Sequence, residues 1–320
     1  MKIGFAGNTS AAYYCLEKLC RDAHEIKAII VPHGEGANGN DQADFTSLAG
    51  EFDFKRLNWP ADRREIEKLG LDVLIKLEWP ENNELRSLPS LLTIGCNLAG
   101  QYYRGYLRDV AIDLYDGNSH SEIQLLVENR SQESSASGRP GAKVVAFSEI
   151  ELDLLDDVRS AKTKAIISFY RLLKEFLETL AKNQKKPTTI SRDVKIGMQK
   201  FERVLDWRLG VMKIHQIVRS LTYPGPGVQT WLDDSRLVIW RGHLFARSGK
   251  DYAHLDPGAI VEVVEELGVV VKAADGLFLI TRIQPANAPE LPAWVWANQF
   301  RIRLGEKFEL KVLDKAIAAT

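Results

Sequence analysis

Cysteine is scarce. The 320 residues hold three, Cys15, Cys20 and Cys96, with no CxxC pair and no Cys/His cluster at zinc spacing. That excludes a disulfide framework and a structural metal site and leaves core or near-core thiols. No stretch approaches the roughly 18 apolar residues of a membrane-spanning helix. The N-terminus, Met1-Lys2-Ile3-Gly4-Phe5-Ala6-Gly7, lacks the basic-then-apolar layout of a signal peptide, so a cytoplasmic chain with no membrane partner is expected. Neither sign of charge dominates, with 42 Lys and Arg against 43 Asp and Glu. GxGxxG, internal repeats and low-complexity tracts are also absent. What remains is 45% hydrophobic and 27% charged, an ordinary balance for a globular chain with one or two cores.

The apolar run Lys2 to Ala6 ends in Gly7-Asn8-Thr9-Ser10, after which Ala11, Cys15, Leu16 and Leu19 recur at helical spacing, so strand, tight turn and helix are expected. The runs Ile26 to Val31, Val73 to Leu77 and Leu91 to Cys96 continue an alternation of strand and helix that predicts an α/β fold with a doubly wound, mostly parallel sheet. From Val158 to Leu180 one apolar helical face follows the possible cap Asp157. Gln184 to Arg192 is polar and aperiodic, which suits a linker. Beyond it, Arg236 to Trp240, Ile260 to Val264, Val269 to Lys272 and Leu277 to Ile283 read as short strands separated by Asp-Pro-Gly and Asp-Gly turns, with a helix over about Val211 to Ser220 before them. The expected organisation is an α/β domain over 1–183, a linker over 184–200 and a small β-rich, barrel-like domain over 201–320.

Three stretches carry a resemblance to a known family. "MKIGFAGNTSAAYYCLEKL" is similar to the first strand and helix of the 10-formyltetrahydrofolate-dependent formyltransferases, and "IGCNLAGQYYRGYLRDVAIDLYDGNSHSEIQL" resembles their central stretch. "RVLDWRLGVMKIHQIVRSLTYPGPGVQTWLDDSRLVIWRG", followed by "DPGAIVEV", "DGLFLI" and "LGEKF", resembles their C-terminal domain. The resemblance implies a Rossmann-like domain followed by an OB-like barrel, 10-formyltetrahydrofolate as the donor, and an Asn-His-Asp set that handles the formyl oxygen and the amine proton.

Carried over residue by residue, the set is incomplete. Asn97 stands at the family's asparagine, just after an apolar strand run. The family's histidine position holds Ala99, whose methyl can neither donate a hydrogen bond nor carry charge. The turn bearing the aspartate aligns with Ala136-Ser137-Gly138 or with Pro140-Gly141, and no Asp occurs between Asp116 and Asp153. His120, in "GNSHSEI", is the substitute acid or base; the alternative is a solvated loop histidine. Glu122 and Glu133 read as solvated turn carboxylates. Arg104, before Gly105, either clamps an anionic substrate group or fastens its loop by an ion pair. Gln101, Tyr102 and Tyr103 fill the short loop before it and are candidate substrate-binding residues, with packing as the other reading of the tyrosines. The Gly7 to Ser10 turn and the Pro224 to Gly227 turn are explained by turn chemistry. Trp294 and Trp296 would share one face of a strand, most simply for packing.

These residues support a transferase that acts on the amine of a small or nucleotide-linked metabolite, with chemistry moved from the family's set to Asn97 and His120. A catalytically silent binding or scaffold protein on the same fold is the alternative, favoured by Ala99 and the missing Asp. Initiator-tRNA formylation ranks third. Residues 184–320 hold 20 Lys and Arg against 15 Asp and Glu, which is not a strongly basic platform, and "VPHGEGANGND" holds no Lys or Arg; both argue against a nucleic-acid partner. The cofactor is unknown beyond the reduced folate implied by resemblance, and the oligomeric state is left open.

Overall fold

The structure, a computed structural model, describes residues 1–22, 24–32, 42–79, 85, 92–96, 108–128, 142–183, 190, 201–246 and 252–311. Two compact units emerge: Met1–Val110 with His120–Leu152 and Ser160–Met198, and Ala111–Ser119 with Asp153–Arg159 and Gln199–Thr320.

The first unit is built on a twisted sheet. β1 (Ile3–Ala6), β2 (Ile26–Pro32), β3 (Lys55–Trp59), β4 (Val73–Lys76) and β5 (Leu92–Cys96) are parallel, while β6 (His120–Glu128) runs antiparallel to β5 and pairs with β7 (Ala142–Glu151). The strand order is β3-β2-β1-β4-β5-β6-β7. After β1 the chain winds outward through β2 and β3, then returns to place β4 on β1's other side. The topological switch point therefore lies between β1 and β4, where α/β folds of this kind bind ligands. β3 (KRLNW) was not legible as a strand: its apolar residues are only Leu57 and Trp59, both buried, while Lys55 and Arg56 are exposed on the sheet's edge, a composition that edge strands tolerate.

Helix α1 (Ser10–Arg21) begins where the side chain of Thr9 accepts a hydrogen bond from the Ala12 N–H at 3.2 Å, and it buries Ala11, Ala12, Cys15, Leu16, Leu19 and Cys20. α2 (Thr46–Phe52) and α3 (Arg63–Lys68) link β2 to β3 and β3 to β4, and α4 (Arg108–Asp116) precedes β6. Ile66 of α3 packs with Ala6, Ala28, Ile30, Leu57, Trp59 and Leu74 on one sheet face. The long helix α5 (Val158–Asn183) starts after Asp157, whose carboxylate accepts the Arg159 N–H at 2.9 Å. Its apolar face buries Phe169, Leu173 and Leu177, and Tyr170 and Lys174 tie it to Asp22 at the end of α1.

In the second unit, α6 (Val211–Leu221) precedes a curled antiparallel sheet. Its strands are β8 (Val228–Leu232), β9 (Ser235–Phe245), β10 (Ile260–Val264), β11 (Gly268–Lys272), β12 (Leu277–Pro285), the short β13 (Leu291–Pro292) and β14 (Phe308–Glu309). The order is β10-β11-β12-β9-β8-β14 with β13 on β12. The two edges meet through backbone bonds from Ile260 N–H to the Glu306 carbonyl (2.8 Å) and from Phe308 N–H to the Gly258 carbonyl (2.9 Å). Gly258 is required there: its φ is 94°, and a Cβ would stand 2.4 Å from the Phe308 carbonyl oxygen. Drawing the edges together leaves fewer unpaired backbone groups exposed, as barrels do.

One expectation fails in this unit. Trp294 and Trp296 do not alternate along a strand, because Ala293–Gln299 is a helix, α7. Pro292, with φ −55°, caps it, and on a helix residues two apart point to different sides. Trp296 alone is fully buried, its ring stacked 6.1 Å from Phe308, which also stacks on Trp207 at 5.6 Å. Trp207 donates its indole N–H to Thr230. The Pro224 to Gly227 segment turns the chain out of α6 as expected, with Gly227 at φ 72° and its N–H bonded to the Leu221 carbonyl at 2.8 Å.

Candidate functional site

The carboxyl ends of the parallel strands collect buried polar side chains in the first unit. β1 runs into Gly7-Asn8-Thr9, where Asn8 and Thr9 are buried. Gly7 sits where a Cβ would lie 2.7 Å from both the Leu77 carbonyl oxygen and the Ala12 side chain, so close approach of β1 and β4, together with the Thr9 cap, accounts for the Gly7 to Ser10 turn. β4 runs into Leu77-Glu78-Trp79. Glu78 is buried, adopts φ 51°, and pairs with Lys162 of α5 at 3.4 Å, the two side chains being 3% and 8% exposed.

β6 enters the sheet at this same end because it is antiparallel to β5. Cys96 faces Leu125 across the pair, so His120 to Gln124 extend past the end of β5. The hydroxyl of Ser148, opposite Ile123, is hydrogen-bonded to Ser168 of α5. Ile123 thus faces α5, and His120, Glu122 and Gln124 share the other face. Along that stripe exposure falls from His120, which is open, to Glu122 at 4% and Gln124 at 0%. The Gln124 amide donates to a Glu122 carboxylate oxygen at 2.7 Å, orienting the acid. Glu122 is therefore not a solvated turn carboxylate but a buried strand residue, and the expectation for it is corrected. It is buried although β6 at this point pairs only with β7, where Glu149 stands opposite, and the loop-like letters before it hid the strand.

His120 is the first residue of β6, opposite Glu151 of β7. Asn97, Ala99, Gln101, Tyr102, Tyr103 and Arg104 lie outside the described residues, as do Glu133 and both alignments of the Asp-bearing turn. Asn97 is the residue that follows β5 in the chain.

The Cys15 and Cys20 thiols are buried and held in the neutral form. Burial pushes Cys15 far above its ordinary range, with the Glu78 charge adding, and pushes Cys20 up to about 11. Among the described residues no group of His, Cys, Asp and Glu is placed to hold a metal ion, and no helix is long and apolar enough to cross a membrane.

Lys162 and Glu78 were missed from sequence. Lys162 left a trace: it lies four residues after Val158 and four before Ile166, a charge inside the apolar stripe of α5. Glu78 left none, because a single acid after an apolar run is normally a turn residue. The polar period of two in His120, Glu122 and Gln124 was also present, masked by the intervening serine.

Comparison with known proteins shows what the chain is similar to. Residues 197–301 match the model "Formyl transferase, C-terminal domain". Over 95% of the chain and 98% of the relative, the sequence is 23% identical to methionyl-tRNA formyltransferase of Synechococcus elongatus. The Paraburkholderia phymatum enzyme of the same name is 35% identical over 111 residues, 35% of this chain and 32% of that one. HypX of Aquifex aeolicus superposes over 96% of this chain with a TM-score of 0.65 at 15% identity. Residues 197–301 are a formyl transferase C-terminal domain, and the chain as a whole is similar to formyltransferases. It spans about half the length of HypX, 50%, and nearly all of WlaRD, a sugar 3N-formyl transferase that it resembles with a TM-score of 0.56 at 13% identity, covering 90% of this chain and 99% of that one. The doubly wound sheet and curled β domain are those of these structural neighbours.

Proposed function

We propose that the protein transfers a formyl group from a reduced folate to the amine of a small or nucleotide-linked metabolite, using the carboxyl end of the first unit's sheet. The reading is carried by buried polar side chains at that end of the sheet of a formyltransferase-like fold: Glu78 with Lys162 next to the β1/β4 switch point on the α5 side, and Glu122 with Gln124 on β6 on the opposite face. The neighbours' ligands support it: HypX was solved with tetrahydrofolic acid, and WlaRD in the presence of dTDP and 5-N-formyl-tetrahydrofolate. The Mechanism needs two tasks done, polarising the formyl oxygen and taking a proton from nitrogen. Asn97 orients the formyl oxygen. His120, at the open rim of the polar stripe, accepts the proton, and Glu122 lies two residues further in on the same face. Gln101, Tyr102, Tyr103 and Arg104 contribute substrate contacts, Arg104 toward an anionic group. The protein works in the cytoplasm and needs no nucleic acid.

A second reading, a silent binding protein, is favoured by Ala99 and by the absence of Asp between Asp116 and Asp153. One assay separates the two: release of tetrahydrofolate from 10-formyltetrahydrofolate in the presence of dTDP-linked amino sugars, free amino sugars or methionyl-tRNA. Transfer to a small amine supports the proposal, transfer confined to methionyl-tRNA replaces its acceptor, and folate binding with no transfer to any of them establishes the silent binder.

A further inference from the structure

Two costs coincide after β4. Glu78 holds a left-handed backbone, φ 51°, in which an unbranched L residue is strained. Its carboxylate and the Lys162 ammonium are also withdrawn from water, 3.4 Å apart. Replacing such a pair by apolar side chains of similar volume is commonly neutral or stabilising, because desolvation offsets most of the attraction. Stability alone therefore does not account for a strained residue and two buried charges. Their location does suggest a reason. Leu77 N–H bonds to the Ala6 carbonyl at 3.0 Å, and Gly7 has no room for a side chain beside Leu77, so the turn at Glu78 fixes the backbone on both sides of the switch point. The carboxylate is turned inward toward α5, where the Lys162 ammonium lies 3.4 Å away.

We infer that Glu78 and Lys162 are a positioning pair: their attraction holds the left-handed turn that shapes the β1/β4 crevice for ligand, an inference that rests on the proposed use of that end of the sheet. Without the pair, the turn loses the attraction between Glu78 and Lys162 and relaxes toward an unstrained conformation. Lys162 supplies the anchor, since α5 is fixed along its length by Phe169, Leu173 and Leu177.

The test compares Glu78→Met, Lys162→Met and the double variant in the full chain, by thermal melting and by hydrogen exchange of peptides covering residues 3–12 and 73–79, with folinic acid as the binding probe. Each single change removes one member of a buried ion pair and lowers Tm by roughly 10 °C. The double variant melts within about 3 °C of wild type, or above it, yet its amides at Gly7 to Thr9 and Leu77 to Trp79 exchange at least ~10-fold faster, and folinic acid binds at least ~10-fold more weakly than to wild type. A double variant as unstable as the singles makes the pair a stability element, and unchanged exchange means the turn stands without it; either result overturns the inference. Folinic acid that fails to bind wild type counts against the proposed function, while the exchange and melting results still decide whether the pair holds the turn.

Discussion

Buried polar groups serve different ends in the two units. In the second they fasten backbone. Arg219 of α6, 8% exposed, donates to the carbonyls of Asp153 (2.6 Å) and Asp156 (3.3 Å), and Lys213 donates to the Tyr115 carbonyl at 2.5 Å while lying 4.0 Å above that residue's ring. At the surface the exposed Asp275 does the same, accepting the first N–H of α6 at 2.7 Å and supplying the cap that Gly210 lacks. These partners are neutral backbone groups distant in sequence, which is what a packed scaffold requires. In the first unit buried charge meets buried charge or amide, and it gathers at the end of the sheet where the strands stop. Polar burial spread along an element marks fastening; polar burial concentrated at a strand end marks a site.

That contrast is sharpened first by Trp296→Ala. Removing a fully buried ring stacked on Phe308 should cost ~3–5 kcal/mol in denaturant unfolding, with folate affinity of the surviving folded protein unchanged. A loss of affinity without a loss of stability would show that the second unit's core does more than pack. Arg219→Met comes next. It strips charge-assisted donors from two carbonyls and should cost ~2–3 kcal/mol, again without a specific effect on binding.

His215 gives the contrast a pH signature. It is buried on α6 with its ring 6.5 Å from His243, and burial, with the charges of Arg219 and His243 adding, brings its pKa down to about 4. The unfolded chain takes up that proton near the ordinary histidine value of about 6.5. Between about 6.5 and about 4 the unfolded state therefore binds more protons than the folded state. The stabilising contribution is complete above pH 6.5 and is lost as pH falls through this window. Urea unfolding at several pH values should show the decline in wild type and a shallower one in His215→Asn; equal slopes would mean the ring is not held neutral.

The smallest expected stability effect belongs to Glu122→Gln. An amide of the same shape can still accept from Gln124, so unfolding should change by ~1 kcal/mol or less. Turnover in the transfer assay should nevertheless drop. A large stability loss with turnover intact would place Glu122 among the fastening groups and weaken the distinction between the units.

Much of the fold was legible because periodicity reports burial. The alternating strand runs and the stripe of α1 gave the doubly wound sheet, and Asp-Gly and Asp-Pro-Gly turns gave the β domain. β3 escaped because an edge strand need not be apolar. The Trp294-Val295-Trp296 alternation misled because two aromatic residues two apart match a strand's period, while the capping Pro292 that starts α7 is also a common loop residue. The site was less legible for a different reason. Glu78 with Lys162 is 84 residues apart in the chain, and Glu122 is buried on a strand whose register is set by Glu149 opposite it on β7, so neither leaves a local pattern. Lys162 inside an apolar stripe was the one readable clue.

The proposal that this formyltransferase-like chain holds a reduced folate at the carboxyl end of its parallel sheet is tested most directly by calorimetric titration of the full chain with folinic acid. One molecule should bind per chain, and Asn97→Ala should weaken binding at least ~10-fold, the equivalent of about 1.4 kcal/mol for a lost polar contact. No binding to wild type, or binding indifferent to Asn97, would contradict it.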